Sequence, residues 1–315
     1  MSFIVSFLFT LFTVHSCAKG VVVREGNFTD EKSAFIYTKS WEPASGEPIA
    51  QVLFVHGQGE HINRYNHVFS KFAKEGIKVT GFDQIGCGLT GKHANDLGGA
   101  MGMARVRLNI DKVLNKDSKT PLFLMGHSFG GLTVLDYLAR GASREHIYAG
   151  IASAPDLELS RESKPGFFER AMLRSVAAVT PTLKVSAIID TSYLSRDPSQ
   201  VELYNNDPLV FSECAAIQVY DTVFGGEYLL KGGYKNITVP RLLIAHGNDD
   251  KITSFAASET LVEELTKLGN QQTLTFKPFD GAYHELHNDI IKDEVIKYYI
   301  AWIKSVLVKP EIVQA

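Results

Sequence analysis

A serine, a histidine and two adjacent aspartates stand in the chain order and local settings that nucleophilic acyl transfer requires. Ser128 lies in Gly126-His127-Ser128-Phe129-Gly130, a G-x-S-x-G string. The apolar run Pro121-Leu122-Phe123-Leu124-Met125 precedes it, and Gly131, Leu132, Val134, Leu135, Tyr137 and Leu138 follow. The serine therefore sits between a short strand and an amphipathic helix, the setting of a nucleophile elbow. Such a turn forces its serine into a strained backbone conformation, and the flanking glycines leave room where side chains would collide. The pentapeptide alone is common; the downstream partners give it weight.

A serine hydroxyl is a poor nucleophile at neutral pH and needs a base, which in turn needs an orienting acid. On a sheet of this kind the chain order is serine, acid, histidine. Leu242 to Ala245 reads as a strand running into His246-Gly247-Asn248-Asp249-Asp250, a turn with two carboxylates. Leu274 to Phe276 reads as a strand running toward Phe279-Asp280-Gly281-Ala282-Tyr283-His284. Both turns follow strands, so both land on the sheet edge that carries Ser128. His284 is the expected base, and the residues by themselves leave Asp249 and Asp250 open as the acid. A developing oxyanion needs two preorganised N–H donors. Phe129, directly after the nucleophile, supplies one. Gln58, in the small-residue loop His56-Gly57-Gln58-Gly59 after the strand Val52–Val55, is assigned the other.

The elements that must position these groups alternate along the chain. Val21–Val23 and Phe35–Thr38 read as early strands around a turn at Asn27 to Asp30. A helix through Tyr65, Val68, Phe69 and Phe72 ends at Gly76, and Ile77–Phe82 is the next strand. A helix near Met103 to Leu114, a strand Ile147–Ala152, and helices at Phe255 to Leu268 and Ile290 to Val306 complete the pattern. Buried runs alternating with helices predict a mostly parallel central sheet with helices on both faces. Between about 155 and 238 the alternation lapses. Phe167, Phe168, Met172, Leu173, Val176 and Val179 predict an apolar helix there, and Pro181, Pro198 and Pro208 interrupt the segment. It reads as a helical cap insertion over the carboxyl ends of the strands, where sites lie in open α/β sheets. Its apolar roof would take up an acyl chain, and its outer face would rest on a membrane surface.

Bulk composition narrows the classes. The 315 residues are 45% hydrophobic and 21% charged, enough for one large core plus an insertion. Net charge is −3, from 32 Lys+Arg against 35 Asp+Glu well mixed, and there is no basic block to suit a nucleic acid. Three cysteines, Cys17, Cys87 and Cys214, give no disulfide framework. His284-Glu285-Leu286-His287 lacks the i, i+4 histidine spacing of a helical zinc motif, so no metal and no cofactor is expected. Phe3 to Val14 is almost wholly apolar, too short to span a bilayer comfortably, and precedes small residues at Ser16-Cys17-Ala18. This resembles a signal peptide, as do the sequons Asn27-Phe28-Thr29 and Asn236-Ile237-Thr238 suit secretion. The expectation is the secretory pathway, with an intracellular, membrane-associated protein as the alternative. Residues 1–18 are set outside the hydrolytic domain, 19–315.

Four longer strings carry a resemblance. They are His56-Gly57-Gln58-Gly59-Glu60-His61 with Arg64-Tyr65; Phe82-Asp83-Gln84-Ile85-Gly86-Cys87-Gly88-Leu89-Thr90; Gly126 to Gly131; and Gly281-Ala282-Tyr283-His284. From about residue 20 onward the chain resembles the monoacylglycerol lipase family of α/β-hydrolases, with Asp83-Gln84 similar to fungal members. The resemblance implies the α/β-hydrolase fold and a serine hydrolase releasing fatty acid and glycerol from monoacylglycerols. A lysophospholipase or general carboxylesterase is the nearest alternative, and an inactive hydrolase-fold binding module a remote one. It also implies Asp250 as the acid, three residues after Gly247, and a glycerol-side role for Glu60, Arg64 and His287. The family usually has methionine after the nucleophile, where this chain has Phe129.

Overall fold

The computed structural model describes residues 13–18, 20–99, 102–186, 189–269 and 273–307. The chain opens with strands β1 (Thr13–Ala18), β2 (Val21–Thr29), β3 (Phe35–Pro43) and β4 (Ala50–Val55). Helix α1 (Asn66–Lys74), strand β5 (Ile77–Phe82) and helices α2 (Gly88–His93) and α3 (Met103–Val113) follow. Strand β6 (Leu122–His127), helix α4 (Phe129–Arg140) and strand β7 (Ala149–Ser153) bring the chain to the insertion. The insertion holds α5 (Phe167–Val179), β8 (Lys184–Ser186), α6 (Pro198–Asn205), β9 (Glu213–Ala215) and α7 (Ala216–Leu230). Strand β10 (Arg241–Gly247), helix α8 (Phe255–Lys267), strand β11 (Thr273–Phe279) and helix α9 (Lys292–Leu307) close the domain.

Among the described residues nine strands form one sheet in the order β1-β2-β3-β5-β4-β6-β7-β10-β11. The pairings from β5 to β11 are parallel, and those of β1, β2 and β3 are antiparallel. This is the expected α/β-hydrolase architecture. The chain moves from β4 to β5 on one side and then to β6 on the other, so the switch in strand order falls between β4 and β6. Ligand sites form outside the carboxyl ends of strands at such a switch, and Gln58 and Ser128 follow β4 and β6 directly.

Alternation along the central strands splits the interior into two apolar layers. Leu53, Val55, Leu122 and Leu124 pack with α3, α4 and α8, through residues such as Val106, Leu135 and Leu261. Val52, Phe54, Phe123 and Met125 pack with α1 and α9, through Phe69, Phe72, Ile296 and Tyr299. Both faces of the sheet are covered, so the loops at the strand ends are held by a rigid base.

The structure departs from the sequence expectations in four places. Strand β2 runs on to Thr29, because Asn27 and Phe28 pair with Tyr37 and Ile36. The turn lies instead at Asp30, whose Oδ1 accepts from the Lys32 and Ala34 N–H groups at 2.9 Å. Helix α2, a single short segment without apolar period, was not expected. The insertion is not purely helical, since β8 and β9 pair antiparallel. Its last helix also belongs partly to the main core, where Leu229 is fully buried. Finally, Thr13–Ala18 pairs with β2, which extends the sheet into the segment set outside the fold. The rest of the apolar N-terminal run, residues 3–12, lies outside the described residues. Among the described residues no helix is long and apolar enough to cross a membrane.

Candidate active site

Ser128 occupies the one-residue turn between β6 and α4 with φ 55° and ψ −122°. That left-handed φ is costly for a side chain and persists only where the surroundings enforce it. The neighbours here do so. A Cβ on Gly126 would stand 2.3 Å from the Gly130 carbonyl oxygen, and one on Gly130 would stand 2.1 Å from the Val55 carbonyl oxygen. The elbow glycines are therefore set by backbone packed on backbone. The Ser128 N–H donates to the Ser153 carbonyl at 2.9 Å, tying the turn to the end of β7.

The expected partners meet at this point. His284 Nε2 lies 2.9 Å from Ser128 Oγ, and its Nδ1 lies 2.8 Å from Asp250 Oδ2. Asp250 is buried whereas Asp249 is exposed, so the geometry selects the second carboxylate of the pair. Asp250 is held from every side. Oδ1 accepts from the Ile252 and Thr253 N–H groups at 2.8 and 3.0 Å, and Oδ2 from Thr253 Oγ1 at 2.8 Å. His246 Nε2 is a further partner of Oδ2, at 3.0 Å, and its Nδ1 meets Ser258 Oγ at 2.8 Å. Burial opposes ionisation of Asp250, yet His284 and these bonds hold its carboxyl far below the usual carboxylate range. Burial likewise opposes a charged His284, and Asp250 overcomes it, raising the imidazole above its ordinary value. His246 was not foreseen. Its placement at the last buried turn of β10, four residues before the acid, was the available signal.

The Gln58 loop approaches the same spot. A Cβ on Gly57 would fall 3.3 Å from Ser128 Cβ, so glycine lets the loop backbone close on the nucleophile. The Gln58 side chain is anchored to the insertion: Nε2 donates to Cys214 Sγ at 3.2 Å, and Oε1 accepts from Thr222 Oγ1. His56 braces the loop from behind. Its Nε2 accepts from the Gln84 N–H at 3.1 Å, which leaves Nδ1 to donate to the Gly57 carbonyl at 2.8 Å. Gln84 Nε2 also donates to the His56 carbonyl at 2.7 Å, and the neighbouring Asp83 carboxylate accepts from the Ile62 and Leu89 N–H groups at 2.8 and 2.6 Å.

A buried ionic cluster supports the loop on the other flank. Arg64 Nη1 donates to Glu60 Oε2 at 2.7 Å, and the guanidinium grips both oxygens of Glu285 at 2.7 and 2.8 Å. Glu60 Oε1 accepts from the Gly57 N–H at 2.7 Å and from Tyr65 Oη at 2.6 Å. Burial opposes the charge on Glu285, but Arg64 pulls its carboxyl well below the normal range. The three residues expected on the glycerol side take different places in this cluster. Glu60 lines the cavity, as does Glu285, which was not foreseen although it follows His284 directly. Arg64 and His287 stand one layer back. Arg64 is covered by the Tyr204 ring of the cap, 4.7 Å away, and His287 stacks on Tyr65 with centroids 4.5 Å apart. Burial, reinforced by the neighbouring His127, keeps His287 neutral.

All of this opens on a cavity of about 620 Å³. Ser128, His284, Glu60 and Asp156 form its floor; Leu173, Val176, Val185, Val219 and Val223 of the insertion form its roof. The roof is thus mostly apolar, with Glu162, Lys164, Glu169 and Asp190 among its lining, and the floor polar, which suits an amphiphile with its ester at the floor. Among the described residues no group of His, Cys, Asp and Glu could hold a metal ion.

Known proteins resemble this chain in sequence and in fold. Residues 46–291 match the model of the family described as serine aminopeptidase, S33. A putative monoglyceride lipase of Schizosaccharomyces pombe is 32% identical over 281 residues, covering 86% of this chain and 71% of the relative. The human monoglyceride lipase is 28% identical, over 81% of this chain and 82% of its own. The crystal structure of Paleococcus ferrophilus monoacylglycerol lipase superposes with a TM-score of 0.73 at 30% identity, covering 86% of this chain and 99% of that one.

Proposed function

The chain belongs to the serine aminopeptidase S33 family of α/β-hydrolases and, within it, to the monoacylglycerol lipases, and from that premise we propose that it hydrolyses monoacylglycerols to fatty acid and glycerol. The observation that carries the reading is the Ser128–His284–Asp250 chain of hydrogen bonds at the floor of an apolar-roofed cavity. His284 Nε2 takes the hydroxyl proton as Ser128 Oγ attacks the ester carbonyl. Asp250 orients the ring and stabilises the imidazolium. The Phe129 and Gln58 N–H groups receive the oxyanion. The proton then passes from His284 to the departing glycerol oxygen, leaving an acyl-Ser128 ester. Water, deprotonated by His284, attacks that ester, and Ser128 recovers the proton as the fatty acid is released.

Glu60 and Glu285 suit the polar end of the substrate: their carboxylates at the cavity wall are acceptors for glycerol hydroxyls. We further propose that the cap rests on a lipid surface, supported by Phe167, Phe168 and Met172, which are 81%, 85% and 64% exposed on α5. The apolar N-terminal run supports entry to the secretory pathway. Cleavage after Ala18 would remove β1 and leave β2, paired with β3 along its whole length, as the sheet edge.

The test is a panel of monoacylglycerols, lysophospholipids and short esters given to the purified protein and to Ser128→Ala. Monoacylglycerol turnover that disappears in Ser128→Ala, with an unchanged melting temperature, is the expected result. Undiminished turnover by the variant, or turnover of lysophospholipids in preference, would overturn the reading.

A further inference from the structure

The cavity floor holds a second buried aspartate that the triad does not use. Asp156 follows β7 through Ala154, whose φ is 43°, and Pro155. Its N–H donates to the Ser128 carbonyl at 3.1 Å, so its backbone is fastened to the elbow. The residue is only 2% exposed, lines the cavity with Ser128 and His284, and leaves Oδ1 buried without a hydrogen-bond partner. The contrast with Asp250 is direct: one carboxyl has main-chain, hydroxyl and imidazole partners, and the other has an oxygen with none. A buried carboxylate without donors is costly. Burial pushes the Asp156 carboxyl up to about 7, His284 works against that rise, and Asp250 adds to it.

We infer that Asp156 is a specificity-determining residue that disfavours anionic amphiphiles in the cavity, the fatty-acid product among them. Naming the product in this way rests on the reading of the site as a monoacylglycerol hydrolase. A neutral ester can sit beside this carboxyl in either protonation state. A fatty carboxylate at Ser128 cannot do so at no cost, because two like charges in a poorly solvated pocket repel and nothing at Oδ1 compensates. The fatty carboxylate is therefore tolerated while Asp156 is neutral and driven out once it ionises. The charged groups that act on Asp156 directly are His284 and Asp250, and Glu60, Glu162, Lys164, Glu169, Asp190 and Glu285 carry the other charges of the lining, the same in both proteins compared. His284 sheds its own positive charge as pH rises and weakens anion binding by itself, so the deciding comparison is between proteins, not between pH values.

The experiment uses the full chain, a short chromogenic ester as substrate, and decanoate or 1-decanol as competitive inhibitors, from pH 6 to pH 8.5. The ratio of the decanoate to the decanol inhibition constant isolates the charge. In the wild type this ratio should rise steeply with pH. In Asp156→Asn it should be at least about tenfold lower than wild type at pH 8.5 and converge with it at pH 6. Equal ratios in the two proteins at pH 8.5 would overturn the inference. Fluorophosphonate labelling of Ser128 in both proteins verifies that each site is assembled, and Asp156→Leu serves in the same role if Asp156→Asn does not fold. Because the reporter is a short ester, a protein that ignores monoacylglycerols but shows the difference would refute the substrate and leave the role of Asp156 standing.

Discussion

On the sheet side of the cavity, Ser128, His284 and Asp250 are fixed by backbone contacts and short hydrogen bonds, Ser128 and Asp250 after the buried strands β6 and β10 and His284 after the edge strand β11. On the cap side, α5 turns Leu173 and Val176 inward and leaves Phe167 and Phe168 almost fully in solvent. The first region is over-determined. Gly126 and Gly130 admit no side chain, and Asp250 has little freedom to turn. The second is held by fewer and softer contacts, such as Arg170 and Arg174 over Phe224 at 4.5 and 4.4 Å. Chemistry needs the first kind of site, because a nucleophile loses rate steeply when misplaced. Admission of a long acyl chain tolerates the second.

The sharpest way to break this contrast is at the acid. Asp250→Asn should lower kcat by about 10⁴-fold, since an amide favours the wrong imidazole tautomer. Asp249→Asn, one residue away but exposed, should change kcat by less than about twofold. Equal losses would mean that the buried geometry does not decide the acid. The same pair predicts the pH profile. His284 is raised above its ordinary value, and it must be neutral to accept the serine proton. Wild-type kcat/KM should therefore fall as pH drops through a pKa above that of a free histidine.

Next in size is the ionic cluster behind the Gln58 loop. The Arg64 side chain is 9% exposed, and Glu60 and Glu285 are each 3% exposed at the side chain. Arg64→Ala leaves two buried carboxylates unpaired and should cost about 3–5 kcal/mol in denaturant unfolding. The exposed Lys71–Asp293 pair gives the control, where Lys71→Ala should cost under about 1 kcal/mol. A small loss at Arg64 would show that this flank is soft like the cap. A smaller effect, of opposite sign, is expected at Asp156. Its carboxyl is neutral in the folded chain up to about pH 7 but ionised in the unfolded chain above 3.8. Folding is thus favoured at low pH and loses stability as pH rises through that window. Asp156→Asn should be more stable than wild type at pH 8, by roughly 2–4 kcal/mol relative to its difference at pH 3.

The same contrast explains what was legible in the sequence. Strands β4, β6 and β10 carry buried apolar runs and the edge strand β11 a half-buried one, and a motif at the end of such a run is placed by the fold itself. Ser128, His284 and the Asp249-Asp250 turn are therefore legible together, with Gly57 and Gln58 beside them, while the choice of Asp250 within the turn comes from the resemblance. His246, Glu285 and Asp156 were not, because burial of a polar residue depends on what packs over it from distant segments. Asp156, for instance, is enclosed by the elbow and the cap, which meet only in three dimensions. The resemblance puts Arg64 and His287 beside the glycerol pocket, and the Tyr204 and Tyr65 rings against them set both one layer behind the cavity wall. In the cap, β8 and β9 are three residues each, too short to display a period. Strand β1 was hidden by the apolar run that overlaps it.

The smallest expected effect tests the soft side directly. Phe167 and Phe168 are the first residues of α5, whose start is secured independently by Glu169 Oε2 accepting from the Gly166 N–H at 2.7 Å. Phe167→Ser with Phe168→Ser should therefore change stability by no more than about 0.5 kcal/mol, as expected for exposed positions. On a short soluble ester the double variant should match wild type, since neither residue lines the cavity. On monoacylglycerol presented in vesicles it should be slower by severalfold or more, because burying two phenyl rings in a lipid interface is worth a few kcal/mol. The ratio of the two activities separates the possibilities. An equal fall on both substrates would mean that the two rings stabilise the roof rather than dock it. No fall on either would mean that the exposed face of α5 touches no lipid, and the cap would then be a passive cover whose softness serves only the entry of the acyl chain.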